Sequence, residues 1–366
     1  MIYLDHGATS FPKPIPVHKA VLRAMQNCAN PGRGGYGAAM EAAKVVYQCR
    51  EEASKLFSCQ PEQVVFTGNC THGLNIAIGS LVKPGSRVVV SGFEHNAVMR
   101  PLYALGANIQ VAGKKLFDWD DILDSFYKAL HSGVDAAVFT HVSNVFGYIL
   151  PVEELAGMCR ENNIPFIIDA AQSAGSLPVS LQIGASFIAM PGHKGLLGPQ
   201  GTGILLCSQP GIPLLYGGTG TSSRDANMPE DLPERQEAGT LNVPGIAGLK
   251  EGLRYLNQVG VDSVFQKEHF QMKRCVQGLQ KLGMQVYSGP HQAATVSFLS
   301  GEDCEVAAQI LADQGIAVRA GLHCAPLAHQ TAGTLDSGTV RVSFGHNASA
   351  TETERLLRAA SKLTQF

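Results

Sequence analysis

No apolar run in the 366 residues approaches the roughly 18 needed to cross a membrane as a helix, so no span is expected. The opening MIYLDHGATSFPKP lacks a basic segment followed by an apolar stretch, which argues against a secretion signal. There is no basic block, and 28 Lys and Arg against 30 Asp and Glu leave a formal charge of −2. Neither nucleic acid nor an anionic membrane surface is therefore an expected partner. The nine cysteines are odd in number, scattered from Cys28 to Cys324, and form no CxxC pair. That speaks against a disulfide framework or a metal site and favours a reducing, cytoplasmic setting, with most of them small buried apolar residues. A GxGxxG turn and a Walker loop are also missing, so neither a dinucleotide site nor a P-loop is supported.

Glycine is in excess, at 40 residues. The glycines stand singly at the ends of apolar runs, where tight turns and close ligand approach need a residue without a side chain. The length suggests a large unit plus a smaller one. Residues 14–28 and 38–58 carry helical periodicity. The pattern predicts strands at VVFTG (64–68), RVVVSG (87–92), ANIQVAG (107–113), DAAVFTHV (135–142), PFIIDA (165–170), SFIAM (186–190) and GILLC (203–207). Helical segments such as HGLNIAIGSLV and VEELAGMCRENN fall between them. Strands this continuously apolar are covered on both faces, so an α/β fold with a mainly parallel sheet is expected. Beyond about residue 250 the pattern changes. One long helical stretch (246–282) precedes ATVSFLS, CEVAAQILADQ, IAVRAG, TVRVSFG and ATETERLLRAASKL, an α+β unit with a small sheet of its own. The longest segment without periodicity is 217–240, and loops of that length in compact enzymes are often functional.

Chemically capable residues collect where ligands bind in open α/β sheets, beyond the carboxyl ends of the strands. Successive strand ends present Thr67 to Thr71, Glu94-His95, His141 to Asn144, Asp169 to Gln172, and His193-Lys194. Gly68 to Gly73 leads into a helix, which makes a phosphate cradle, although Thr71 could equally be a plain helix cap. Asp169 closes PFIID, where a buried carboxylate needs a partner such as a protonated pyridine nitrogen; a cap role is the alternative. Lys194, in the glycine-flanked turn PGHKGLLGPQGTG, is either a Schiff-base amine or a solvated loop lysine.

From YLDHGATSFPKP to RVSFGHN the chain resembles class V, fold-type I pyridoxal-phosphate (PLP) enzymes, specifically the cysteine desulfurase and selenocysteine lyase group. The resemblance implies a large PLP domain (14–250) and a small domain made of 1–13 with 251–366. It makes Lys194 the lysine that carries PLP, Asp169 the pyridine partner, Gln172 a ligand of the ring O3′, and His95 the histidine stacked on the ring. Thr71 and His193 match phosphate ligands, with Cys70 contributing backbone. Asn144 matches an asparagine near O3′ and the substrate carboxylate. Glu237-Ala238-Gly239-Thr240 resembles the EAGT segment, whose threonine reaches the phosphate of a neighbouring subunit in a homodimer. Arg341 in VRVSF matches the arginine that grips the substrate carboxylate, a bidentate role suited to guanidinium.

VRAGLHCAP (318–326) resembles the short-loop RxGxHC type, which makes Cys324 the nucleophile, with Arg319 and His323 supplying positive charge that favours a thiolate. The implied reaction takes L-cysteine to L-alanine. Lys194 removes the Cα proton, the Cys324 thiolate takes the sulfur as a persulfide, and an acceptor protein or small thiol discharges it. Two positions depart from the family pattern: Pro191 stands where a serine hydroxyl is usual, and Gly32, in NPGRGGYG, where a histidine is. The alternatives are another PLP activity on this fold (selenocysteine lysis, C–S lysis or aminotransfer) or a non-catalytic binding protein, against which Lys194, Asp169, His95 and Cys324 together argue.

Overall fold

The computed structural model describes residues 1–363 apart from positions 33 and 222. The chain opens with β1 (Ile2–Tyr3), α1 (Ile15–Asn27) and α2 (Gly37–Phe57). Strands and helices then alternate: β2 (Val64–Thr67), α3 (Cys70–Leu81), β3 (Arg87–Ser91), α4 (Asn96–Ala104), β4 (Asn108–Ala112), α5 (Trp119–His131), β5 (Ala136–Thr140), α6 (Val152–Glu161) and β6 (Phe166–Asp169). Two strands follow without an α-helix between them, β7 (Phe187–Pro191) and β8 (Gly203–Cys207). Past the irregular stretch come α7 (Val243–Val259), α8 (Val261–Lys281), β9 (Gln285–Tyr287), β10 (Thr295–Leu299) and α9 (Cys304–Asp313). The chain ends with β11 (Ile316–Ala317), β12 (Arg319–Gly321), α10 (Pro326–Ala332), β13 (Thr339–Ser343) and α11 (Ala350–Ala360).

Seven strands form one sheet in the order β2-β8-β7-β6-β5-β3-β4. The pairs from β7 through β4 are parallel, and β8 runs antiparallel to both its neighbours. Alternate residues serve opposite faces: Val89, Phe139, Ile168 and Ile188 enter one buried cluster, while Val88, Val138, Ile167 and Phe187 enter another. Both faces are thus covered, which is why the sequence shows unbroken apolar runs rather than alternation. Because the parallel strands share a direction, their carboxyl ends fall along one rim.

A second, antiparallel sheet has the order β12-β13-β10-β9. β1 pairs in parallel with β11, and Ile2 and Leu4 bury themselves with Val296, Phe298, Val342 and Leu356. The extreme N-terminus thereby packs with the C-terminal portion.

Two expectations are corrected. The stretch 246–282 is two helices, because Gly260 adopts a φ of 82° that a right-handed helix does not admit. Apolar spacing continues on either side of it, so periodicity alone reads straight through. IAVRAG is likewise two strands, β11 pairing with β1 and β12 with β13. Among the described residues no helix is long and apolar enough to cross a membrane.

Candidate active site

A cavity opens at the rim, lined by Asn69, Cys70, Thr71, His95, Asn144, Asp169, Gln172, His193 and Lys194 among others. Five strand ends deliver these groups. Asp169 is the last residue of β6 and is buried. Its Oδ1 accepts the Ala171 N–H at 2.9 Å and the Cys70 thiol at 3.6 Å, while no hydrogen bond among the described residues reaches Oδ2. Burial raises its pKa above the usual carboxylate value, with the Ala171 N–H and the charge of Lys194 opposing.

Lys194 follows β7 in a turn pressed against its neighbours. A Cβ on Gly192 would stand 2.1 Å from the Thr202 hydroxyl, and one on Gly195 2.2 Å from the Ala174 carbonyl, so glycine is required on both sides of the His193-Lys194 pair. Burial lowers the pKa of the Lys194 amine, and the cations Arg341 and Arg319 act in the same sense. The N-terminal arm clamps the turn from outside. Lys13 Nζ donates to the His193 carbonyl at 2.6 Å, the Ser10 N–H donates to it at 3.0 Å, and the Thr9 hydroxyl lies 3.0 Å from His193 Nδ1. Sequence reasoning missed this clamp, since nothing local to Thr9–Lys13 signals a contact some 180 residues away.

His95 caps α4, its Nδ1 accepting the Ala97 N–H at 3.0 Å, which leaves Nε2 to carry the ring proton. Burial, reinforced by Lys194, holds its pKa near 4, so the ring is neutral. Burial likewise holds His193 near 4. The N-cap of α3 is Asn69, whose side chain accepts the His72 N–H at 2.9 Å. Thr71 is therefore not the cap; its exposed hydroxyl is uncommitted at the helix start. Gln172 spends its amide nitrogen on the Gly7 carbonyl at 3.0 Å. Pro191 ends β7 and lines the cavity without a hydroxyl.

Cys324 sits in the four-residue connection between β12 and α10 and is the one exposed cysteine among the nine. His323 and Cys324 both take left-handed φ values, 50° and 57°. The connection is pinned to the rim of the large sheet at two carbonyls: Asn144 Nδ2 donates to His323 at 2.8 Å, and the Asn96 N–H to Cys324 at 2.8 Å. Cys324 opens onto a cleft that shares Thr71, His95 and Ala97 with the Lys194 cavity.

A model of the class-V aminotransferase family matches residues 2–356. The chain belongs to that family. A protein of Methanothermobacter thermautotrophicus described as a probable cysteine desulfurase is 33% identical over 376 residues, covering 97% of this chain and 92% of the relative. A probable cysteine desulfurase of Pyrococcus abyssi is 32% identical over 400 residues, covering 100% and 94%. The apo structure of the cysteine desulfurase of Thermococcus onnurineus NA1 matches with a TM-score of 0.91 at 32% identity, covering 100% of this chain and 94% of that one. The fold is the PLP-dependent transferase fold of type I.

Not every residue carried over to this class-V chain reaches the cavity. Arg341 is buried in β13 and does not line it. Its Nη2 is 2.7 Å from Asp5 Oδ1, its Nη1 donates to the Asn144 carbonyl at 2.9 Å, and its Nε has no partner. Asp5 was not foreseen, because it is long-range pairing of Leu4 and Asp5 with Ser343 that brings the N-terminus alongside β13. Arg319 lies directly opposite Arg341 across the β12–β13 pair and is exposed. His323 does not supply positive charge to Cys324: its Nε2 faces the Thr339 carbonyl at 3.2 Å, and burial, with Arg341 adding to it, drives its pKa to about 2. Thr240 is exposed in a separate groove with Tyr36, Arg50 and Gly32; the neighbouring Arg33 lies outside the described residues. Among the described residues no group of three or more His, Cys, Asp or Glu could hold a metal ion.

Proposed function

We propose that this chain is a pyridoxal-phosphate-dependent cysteine desulfurase, converting L-cysteine to L-alanine and receiving the sulfur on Cys324 as a persulfide. The observation that carries the reading is a cavity holding a lysine and a buried carboxylate that shares the walls Thr71 and His95 with a cleft bearing an exposed cysteine. The probable cysteine desulfurases among the relatives point the same way.

The residues present fit the cofactor. A pyridinium nitrogen needs a buried carboxylate with an uncommitted oxygen, which Asp169 offers in Oδ2. A phosphate needs a helix N-terminus with free donors, and α3 begins beside the uncommitted Thr71 hydroxyl, with Cys70 at its first position and His193 across the cavity. A flat neutral His95 can lie against the ring, and Gln172 and Asn144 bring amides to the same walls; the Asn144 Oδ1 has no partner. Bound there and attached at Lys194, pyridoxal phosphate would supply an electron sink for charge that develops at Cα.

Lys194 is then the base for the Cα proton of L-cysteine, and its lowered pKa makes the neutral amine accessible. The Cys324 thiolate attacks the substrate sulfur, so that an S–S bond forms as the C–S bond breaks; Cβ gains a proton and Lys194 returns one to Cα, which gives L-alanine. Arg341, with Arg319 beside it, receives the substrate carboxylate, which has to join or displace Asp5 at the guanidinium. A four-residue connection carrying Cys324 supports the short-loop type.

Thr240, away from the Lys194 cavity of its own chain, is read as serving the phosphate of a second copy, which makes the enzyme a homodimer. The division into 14–250 and 1–13 with 251–366 is supported by the two separate sheets, although Leu253, Leu256, Val264, Ala325 and Ala328 join the core of the larger one. Nine free cysteines support a reducing cytoplasm. An acceptor, protein or small thiol, removes the sulfur. Purified protein given L-cysteine and a thiol should yield alanine and sulfide in equal amounts; pyruvate and ammonia instead would make it a C–S lyase.

A further inference from the structure

The cleft that bears Cys324 has a one-sided charge. Its other walls are Thr71, Asn75, His95 and one stripe of α4, comprising Asn96, Ala97, Arg100, Pro101 and Ala104. Residues 96, 100 and 104 recur at helical spacing, while Val98, Met99 and Leu102 on the other side of α4 are buried. The stripe is small-sided apart from Arg100, so the floor is shallow and leaves a volume of about 350 Å³. That lies at the small end of the range for small-molecule sites, roughly 300–1,000 Å³.

Arg100 is exposed and has no hydrogen bond or ion pair among the described residues, and its charge is felt at His95. His95 is neutral, and no acidic residue among the described ones lines the cleft. The amino end of α4 adds positive potential from the same side. The Asn96 N–H bond to the Cys324 carbonyl ties the cysteine to the helix that carries Arg100, so the thiol stays within the same cleft.

We propose that this cleft is the docking site of the sulfur acceptor, and that the acceptor is a small thiol carrying a carboxylate, drawn in by Arg100. The inference rests on the reading of Cys324 as the persulfide carrier. The transfer is an exchange without net oxidation: the acceptor thiolate attacks the outer sulfur of the Cys324 persulfide, a new S–S bond forms, the old one breaks, and the electron pair and a proton return to Cys324. Arg100 touches the acceptor and does not line the Lys194 cavity.

The first test needs no turnover. The purified full-length protein is alkylated at Cys324 with iodoacetate or iodoacetamide, and the Cys324 peptide is quantified by mass spectrometry. Arg100→Gln should lower the iodoacetate-to-iodoacetamide rate ratio about two- to fivefold, the range of one exposed charge, and Arg100→Glu further. High salt should shrink the wild-type preference in the same way. An unchanged ratio in both variants overturns the proposal. The second test loads the persulfide with L-cysteine and discharges it with mercaptoacetate, 2-mercaptoethanol or cysteamine. Mercaptoacetate should be the fastest with wild type and lose its lead in Arg100→Glu. Discharge indifferent to thiol charge, or rapid only with an added protein, overturns the small-acid acceptor. Failure of the persulfide to form at all refutes the desulfurase reading instead, whatever the alkylation ratio.

Discussion

Replacing Glu237 with alanine should destabilise the protein strongly although the residue lies outside the Lys194 cavity. Arg50, in the middle of α2, and Glu237 are both buried, with Arg50 Nη2 2.6 Å from Glu237 Oε2. The other carboxylate oxygen accepts the Phe66 N–H at 2.6 Å, and Arg50 Nη1 donates to the Val64 carbonyl. Val64 and Phe66 belong to β2, the edge of the seven-stranded sheet, so the two side chains satisfy outward backbone groups that a further strand would otherwise pair. The guanidinium also lies 4.5 Å over the Phe66 ring. Removing Glu237 leaves a buried cation unpaired and the Phe66 N–H orphaned, for which about 3–5 kcal/mol is the expected cost. At about 2.1 cal/mol/K of unfolding entropy per residue, that loss lowers the melting temperature of a chain this long by about 4–7 °C.

Glu237→Gln, which keeps an acceptor for Phe66, should lose less. The double replacement Arg50→Met with Glu237→Leu should recover part of the deficit, because no charge is left stranded. Differential scanning calorimetry decides the matter. A Glu237→Ala melt within about 1 °C of wild type would refute the reasoning, since an uncompensated buried guanidinium cannot be that cheap. Glu237 also anchors the segment that leads to Thr240, so the same variant should release added cofactor more readily on gel filtration.

The other predictions concern the site itself. Addition of PLP should produce a yellow protein, and borohydride should fix the cofactor to Lys194; label recovered on another lysine would contradict the assignment. A Lys194→Ala chain mixed with a Thr240→Ala chain should regain a fraction of the activity, because one site in each mixed dimer then has both residues; an active monomer in sedimentation would contradict it. Glu94 is buried, with one oxygen accepting the Ser91 hydroxyl and the Thr140 N–H and the other bare, and burial raises its pKa to about 8. A raised native pKa means that the protonated form is the folded one. Its stabilisation is therefore complete at acid pH and is lost as pH rises through about 8. Glu94→Gln should gain thermal stability over wild type at pH 9 and little at pH 5, and a pH-independent offset would contradict this.

The large sheet was legible because its strands, apart from the edge strand β4, are buried on both faces and therefore read as nearly uninterrupted apolar runs. The polar rim was legible because parallel strands end together, so Asp169, His95 and Lys194 could be placed on one edge before any contact was known. Other features depend on distant pairing. Arg341 meets Asp5 because the N-terminal segment pairs with Ser343 of β13, and Asn144 holds the His323 carbonyl because the connection after β12 folds back onto the rim. Local chemistry also misled: Thr71 looks like a cap, but α3 already begins at Cys70, so Asn69 takes the position. His323 looks like a cation beside Cys324 until its ring is seen turned toward Thr339 and buried. Gly260 breaks a helix without breaking the apolar spacing around it, which no periodicity count detects.

The central claim is that Cys324 receives sulfur from L-cysteine. Cys324 is exposed and its fixed contact is through its backbone carbonyl, so Cys324→Ala should change stability by no more than about 0.5 kcal/mol and keep the cofactor. Wild-type protein exposed briefly to L-cysteine, then digested and analysed by mass spectrometry, should carry one added sulfur on Cys324 and none on the other eight cysteines. In Cys324→Ala the added sulfur should vanish, and alanine formation should fall by several powers of ten. Sulfur found on another cysteine, or a variant that still releases sulfur at a near wild-type rate, would contradict the account and make a β-eliminating lyase the better description.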